Sequence, residues 1–237
     1  MQALLEENMG ASCYLVTGGT WAGKSSFIKC VTSEEVYVGS TLDSGTKSFA
    51  LVPAIIKQKR CMFLDMPGFN TDDLNDWDTF FRLMTAMAVI KRYVVFRGVL
   101  YVDPMDDPRS SPATRKILTW LSRFCGTDYM RNVTIVTTKW DLLNADGIEQ
   151  RLELVKYWKA HPLYNDFVNN GSVVYHHGLV QENKKNTTLS EKTQDADRRL
   201  RAENMIAEQY RGPTTLKLQV DLEIENGASI HSTEAGR

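Results

Sequence analysis

The sequence predicts an α/β domain built on a mainly parallel sheet, and three observations carry that expectation. Short apolar or β-branched runs, Cys13-Tyr14-Leu15-Val16, Val99-Leu100-Tyr101-Val102, Val133-Thr134-Ile135-Val136 and Ser172-Val173-Val174-Tyr175, alternate with longer amphipathic stretches. That is the pattern of buried strands joined by helical crossovers, with helices on both faces of the sheet. A glycine-rich stretch, Gly18-Gly19-Thr20-Trp21-Ala22-Gly23-Lys24-Ser25, follows the first run directly. Two further polar motifs, Asp65-Met66-Pro67-Gly68 and Thr138-Lys139-Trp140-Asp141, each end a later run. Ligand-binding groups in open α/β sheets gather at such strand ends.

Taken in order, Ser25-Ser26-Phe27-Ile28-Lys29-Cys30 opens a helix after the glycine loop. Val31 to Ser48 is polar and broken by Gly39 and Gly45, which predicts a mobile surface segment where a switch loop belongs. Phe49 to Ile56 and Cys61-Met62-Phe63-Leu64 flank the basic turn Lys57-Gln58-Lys59-Arg60 and predict a hairpin. Trp77, Phe80, Phe81, Met84, Met87 and Ala88 recur at helical spacing, so their stripe reads as core rather than as a cofactor box. Helices are also predicted over Pro112 to Phe124, Ile148 to Trp158 and the charged stretch Thr193 to Tyr210. Leu216 to Glu225 alternates strictly, as a strand does, whereas Pro213 and the Leu, Lys, Gln and Glu content favour a helix; the reading leans to helix. The 237 residues thus divide into one domain over 10–210 and an extension over 211–237.

Composition narrows the function classes. Apolar residues make up 43% and charged residues 24%, the balance of a folded globular chain. A formal net charge of -1 gives no global basic field for nucleic acid or an acidic membrane, although peripheral membrane contact stays open. No apolar run is long enough for a transmembrane segment, and Met1-Gln2-Ala3-Leu4-Leu5-Glu6-Glu7-Asn8 is acidic where a secretory signal is basic, so the expected location is cytoplasmic. Cys13, Cys30, Cys61 and Cys125 lack Cys-x-x-Cys spacing and read as reduced structural residues. His161, His176, His177 and His231 have no Cys or Glu cluster at ligand spacing, and Asp103, Asp106 and Asp107 read as a solvated acidic loop.

The chemistry lies in the three motifs. The first fits the phosphate-loop pattern, in which Gly18 and Gly23 let successive N–H groups turn inward onto phosphate oxygens at a helix N-terminus. Gly19, Thr20, Trp21, Ala22 and Ser26 complete that cradle, Lys24 reaches the β- and γ-phosphates, and the Ser25 hydroxyl holds Mg²⁺. Asp65 is placed to bind Mg²⁺ through water, with the Gly68 N–H facing the γ-phosphate. Asp141 accepts from the two donors on the guanine edge, a pair that adenine lacks, while Lys139 lies along the base beside Thr138.

With all three motifs in this order, residues 10–210 resemble the translation-factor-related P-loop GTPases. The segment Val38-Gly39-Ser40-Thr41-Leu42-Asp43-Ser44-Gly45-Thr46, with Phe69 after Gly68, looks like the septin-like, immunity-associated branch and its short fungal G-domain proteins. The resemblance implies a three-layer P-loop G-domain on a mainly parallel six-stranded sheet, GTP and GDP as ligands and Mg²⁺ as cofactor. It also implies that Thr46, ahead of Thr41, closes over Mg²⁺ and the γ-phosphate. The tail resembles the helical end of those proteins. Phe69 stands where Ras-like members carry a glutamine, which implies slow unaided hydrolysis. His176-His177-Gly178 occupies the place of the family's base-contacting loop without matching its usual pattern, so His177 is a weak base-site candidate. In the branch an arginine of the loop after the fourth strand crosses a nucleotide-facing dimer interface, which maps onto Arg109; the plainer alternative is that Arg109 pairs with Asp106 or Asp107. Three readings follow: a slow GTPase, a GTP-dependent assembly module forming a homodimer or oligomer, and a silent GTP-binding scaffold.

Overall fold

The computed structural model describes residues 2–32, 49–68, 76–106, 112–182, 185–212 and 216–237. Its centre is β1 (Ser12–Gly18), which pairs in parallel with β3 (Lys59–Asp65) on one side and β4 (Val95–Pro104) on the other. β5 (Val133–Thr138) and β6 (Val173–His176) extend the parallel sheet, and β2 (Ala50–Ile56) closes the far edge antiparallel to β3. The resulting order is β2-β3-β1-β4-β5-β6, a six-stranded sheet with one antiparallel edge.

The strand side chains explain why this sheet is covered twice. Successive residues of a strand point to opposite faces. Leu15, Met62, Tyr101 and Ile135 enter one buried cluster, and their neighbours Val16, Phe63, Val102 and Val136 enter the other. On the first face lie α3 (Asp76–Ile90), α4 (Pro112–Cys125) and α6 (Asn165–Asn169), represented by Leu83, Leu121 and Phe167. On the second lie α2 (Lys24–Thr32) and α7 (Asp195–Gln209), through Phe27, Ile28, Val31, Ala202 and Ile206. The three-layer α/β expectation therefore holds. All four cysteines are free and buried, and burial pushes the Cys30 thiol up to about 12. Among the described residues no helix is long and apolar enough to cross a membrane.

Several elements differ in detail from the sequence reading. The hairpin turns on two residues rather than four, because Lys57 (φ 47) and Gln58 (φ 66) both take the left-handed region while Lys59 and Arg60 already pair in β3. In α3 the buried stripe runs through Phe80, Leu83, Met84, Met87 and Ile90, whereas Phe81, 47% exposed, and Ala88 face outward. The extra apolar residue beside Phe80 lies about 100° around the helix from it, which takes it off the inward face. Asp103 is buried rather than solvated and accepts a 2.7 Å hydrogen bond from the Tyr164 hydroxyl. The sequence reading also passed over α1 (Gln2–Glu7), α6 and the hairpin of β7 (Leu179–Glu182) with β8 (Lys185–Thr188). Each is too short to show a period.

Residues 216–237 pack back onto the first face. α5 (Ala145–Lys156) precedes them in the chain, and α8 (Gln219–Glu225) covers the last 7 residues of the stretch that alternates in sequence, leaving Leu216 to Leu218 outside it. Leu218 and Val220 are both buried, so the alternation reflects an extended lead-in joined to a short helix, not a strand. Pro213 lies outside the described residues.

Tyr210, at the end of α7, closes the sheet beneath β1 and β5. Its ring lies 5.0 Å from that of Tyr14, and its hydroxyl is 2.8 Å from Thr134 Oγ1. Gly98 of β4 makes room for it, since a methyl group there would stand 2.2 Å from the Tyr210 ring. Gly98→Ala should cost about 1–3 kcal/mol by displacing Tyr210. Thermal unfolding would show a fall of several degrees, and an unchanged midpoint would mean the ring moves freely aside.

Candidate functional site: the phosphate loop and the adjoining strand ends

The site begins where β1 stops. Gly18 ends that strand at φ +145, and a side chain there would come within 2.3 Å of the Val102 carbonyl oxygen, so β1 and β4 meet closely just before the loop. The chain then turns through Gly19 to Gly23, with Trp21 held at φ 63 and 73% exposed, and enters α2 at Lys24. Lys24 is 6% exposed and its ammonium donates to the carbonyl oxygens of Gly18 (3.2 Å) and Gly19 (2.8 Å). Burial lowers its pKa to about 8, opposed by the attraction of Asp65. Ser26 is exposed on the first turn of the same helix.

Asp65 ends β3 beside this loop, because the parallel register sets it against Val16. It is 1% exposed, and burial raises its pKa while Lys24 and the Ser25 hydroxyl pull it back. Ser25 Oγ donates to Asp65 Oδ2 at 3.0 Å, while Oδ1 is buried with no hydrogen-bond partner among the described residues. A buried carboxylate oxygen without a partner is costly, and a cation or ordered water there would remove the cost. Gly68 follows at a point where a side chain would lie 2.8 Å from the Thr20 backbone nitrogen, so the two loops touch through bare backbone.

β5 delivers the third motif to the same edge. Thr138 Oγ1 donates to the Ala22 carbonyl at 2.7 Å, which ties this strand end to the phosphate loop. Lys139 takes a left-handed conformation at φ 63, and its ammonium pairs with Asp106 Oδ2 at 2.9 Å instead of reaching the phosphate loop. The short 3-10 turn Trp140–Leu142 then presents Asp141 to solvent. Trp140 is fully buried and donates through Nε1 to Thr137 Oγ1 at 3.0 Å, and that oxygen also meets His176 Nδ1 at 2.7 Å. This Thr137 hub fixes the turn that aims Asp141, and strand threonines carry no pattern that would have revealed it. His177 follows β6, 2% exposed, with its ring edge-on to Phe27 at 5.0 Å and its backbone N–H donating to the Thr137 carbonyl oxygen at 2.8 Å, so its ring is turned away from the site. Burial lowers its pKa to about 3, and Arg198 adds to that effect.

Gly18 to Ser26, Asp65, Gly68, Thr138, Lys139 and Asp141 thus stand at the ends of β1, β3 and β5, at one edge of the sheet. Thr41, Thr46, Phe69 and Arg109 lie outside the described residues. Among the described residues no group of His, Cys, Asp and Glu forms a metal cluster.

No protein-family model matches the chain. A curated relative, named as a probable FAD-binding monooxygenase of Aspergillus luteorubrus, ltbD, is 27% identical over 176 residues, 73% of this chain. The matched part spans 36% of that relative's length. The loop after β1 is not the dinucleotide fingerprint, since Thr20 occupies the position of its second glycine. Among solved structures, Toc33 from Arabidopsis thaliana in complex with GDP and Mg²⁺ is 16% identical, with a TM-score of 0.56 over 88% of this chain and 89% of that one. The elongation factor SelB of Methanococcus maripaludis, with a GTP analogue, is 14% identical, with a TM-score of 0.52 over 89% of this chain and 36% of that one. At these identities the likeness is one of fold, and the fold is the P-loop G-domain.

The Thr138 contact can be tested directly. Thr138→Val keeps the shape but leaves the buried Ala22 carbonyl without its donor, and a loss of about 1–2 kcal/mol is expected. Denaturant unfolding checks this; a variant as stable as the parent would show that the tie carries no energy.

Proposed function

We propose that this chain binds GTP and GDP together with Mg²⁺ and hydrolyses GTP slowly to GDP and phosphate, coupled to self-association through the nucleotide-bearing edge. The observation that carries the reading is the cluster of buried Lys24 and Asp65 with half-buried Ser25 under a glycine loop, with Asp65 Oδ1 lacking a partner among the described residues. Among the described residues the Lys24 ammonium donates to two carbonyl oxygens, with the Asp65 carboxylate nearby. Phosphate oxygens would supply the counter-charge that its lowered pKa registers as missing.

Ser25 and Asp65 fit a hard cation, since both offer oxygen and one carboxylate oxygen is unused. Mg²⁺ held there would offset charge on the β- and γ-phosphate oxygens. Lys24 opposes that charge from the other side, the Gly68 N–H meets the γ-phosphate, and Asp141 selects guanine at the far end. Thr46 as the closing ligand, Arg109 as a group supplied in trans and the loop at His177 as a weak base contact belong to the same proposal.

Toc33 supports the association step, having been crystallised as a dimerization-deficient arginine variant, and dimerization is stated to be important for GTPase activity of the Toc components. The septin-like, immunity-associated branch is our finer placement, resting on the 38–46 segment and Phe69. The four free, buried cysteines support a reducing, cytoplasmic setting. Phe69, which cannot orient a water by hydrogen bonding, favours a second reading: a GTP-dependent assembly scaffold with little turnover.

Asp141→Asn should weaken GTP and GDP binding and move preference toward xanthine nucleotides, because an amide donates where the carboxylate only accepts. Calorimetry with both nucleotide classes decides it, and unchanged guanine selectivity removes Asp141 from the base site. Single-turnover hydrolysis measured against protein concentration tests the coupling. A rate that rises with concentration is expected; a measurable rate independent of concentration excludes association from the mechanism, and none at any concentration leaves the scaffold.

A further inference from the structure

A cavity of about 540 Å³ lies on the first face of the sheet, away from the motifs, between α3, α4 and the C-terminal segment. Its wall on α4 comprises Arg115, Lys116, Thr119, Trp120 and Arg123. These positions are spaced so that they share one side of the helix, while Ile117, Leu118, Leu121, Phe124 and Cys125 fill the core on the other. Trp77 and Phe80 of α3 and the C-terminal residues Ala235 and Gly236 complete the lining. The aromatic walls are fixed from behind. Trp77 stacks on His231 at 4.0 Å between ring centroids, and Trp120 stacks on Phe124 at 4.9 Å.

Two features specify an occupant. Three aromatic rings, those of Trp77, Phe80 and Trp120, stand on its walls, and the volume lies within the range of about 300–1,000 Å³ typical of small-molecule sites. The polar lining is one-signed among the described residues: Arg115, Lys116 and Arg123 line it, Arg237 stands at its end, and no described lining residue is acidic. Among the described residues, Arg115 and Arg123 enter no ion pair. We propose that this cavity binds a small amphiphilic organic anion, an alkyl or aromatic body carrying one carboxylate or phosphate head. The body lies against the rings of Trp77, Phe80 and Trp120, the last two of which meet edge to face at 6.1 Å between centroids, and the head meets the guanidinium groups of Arg115 and Arg123. Planar guanidinium groups suit either head chemistry, because each offers paired donors to two oxygens.

The test uses the purified full chain with dodecanoate, dodecyl phosphate and the neutral dodecanol as probes, read by the fluorescence of the cavity tryptophans and by calorimetry. Saturable one-to-one binding of at least one anionic probe is expected, with dodecanol much weaker; the stronger of the two anions identifies the head. Two variants place the site without touching the core. Thr119→Trp fills the cavity from an exposed position and should abolish binding, and Arg115→Glu with Arg123→Glu should weaken it by about tenfold or more. Thermal unfolding and guanine-nucleotide binding should match the parent in both, which separates failure of this site from failure of the nucleotide reading. Absence of saturable binding, equal binding of dodecanol, or undiminished binding by Thr119→Trp each overturns the proposal.

Discussion

The buried charge of Lys24 constrains this structure more than any other single group. An ammonium at 6% exposure must be met by oxygens, and the fold meets it with the carbonyls of Gly18 and Gly19 and the nearby carboxylate of Asp65. That arrangement requires β1 and β3 to be adjacent and in parallel register, with Val16 opposite Asp65, so that both strands end at the same height. It requires glycine at 18 and 68, where backbone passes backbone with no space for a side chain. Desolvation disfavours both charges, as the lowered Lys24 pKa and the raised Asp65 pKa record. A packing-driven fold would place hydrocarbon here, so the retained charges are a cost that a phosphate and cation would offset.

The second strand end is built on a different principle, hydrogen bonds between side chains and main chain. Thr137 and Thr138 are adjacent in β5 and therefore point to opposite faces. Thr138 reaches the phosphate loop through Ala22, while Thr137 gathers Trp140 and His176 on the other face. One strand thus fixes the distance between the phosphate loop and the turn bearing Asp141, and it does so with two hydroxyls. Asp106 occupies Lys139, which keeps that side chain from the route across to the phosphate loop that its motif suggests.

The fold was legible in the sequence wherever burial imposes a period. Cys13 to Val16 and Val133 to Val136 read as buried strands because both faces of the sheet are covered, and every residue of β5 is buried. The three motifs were legible because glycine, lysine and aspartate have few other reasons to occupy those positions. What escaped were groups whose role depends on a partner far away in the chain: Thr137, Asp103 with Tyr164, and Gly98 beneath Tyr210. Phe81 shows the reverse error, since hydrophobicity at nearly the right spacing does not fix direction. His177 follows the sixth strand as the motif order predicts, yet its ring turns inward to Phe27, and nothing in three consecutive residues encodes that rotation.

Helix α4 links the two regions that carry chemistry. Its inward face holds Ile117, whose Cδ1 lies 3.9 Å from where a side chain on Gly19 would begin, so the helix supports the phosphate loop from below. Its outward face carries Arg115, Lys116, Trp120 and Arg123 along the cavity that the C-terminal segment closes. A rigid helix cannot shift one face without the other, because the core side chains between them are close-packed. The tail, through Val220 and Ala235, therefore bears on the same element that supports the phosphate loop. Residues 216–237 are part of the physical setting of the loop, although they contribute no group to it.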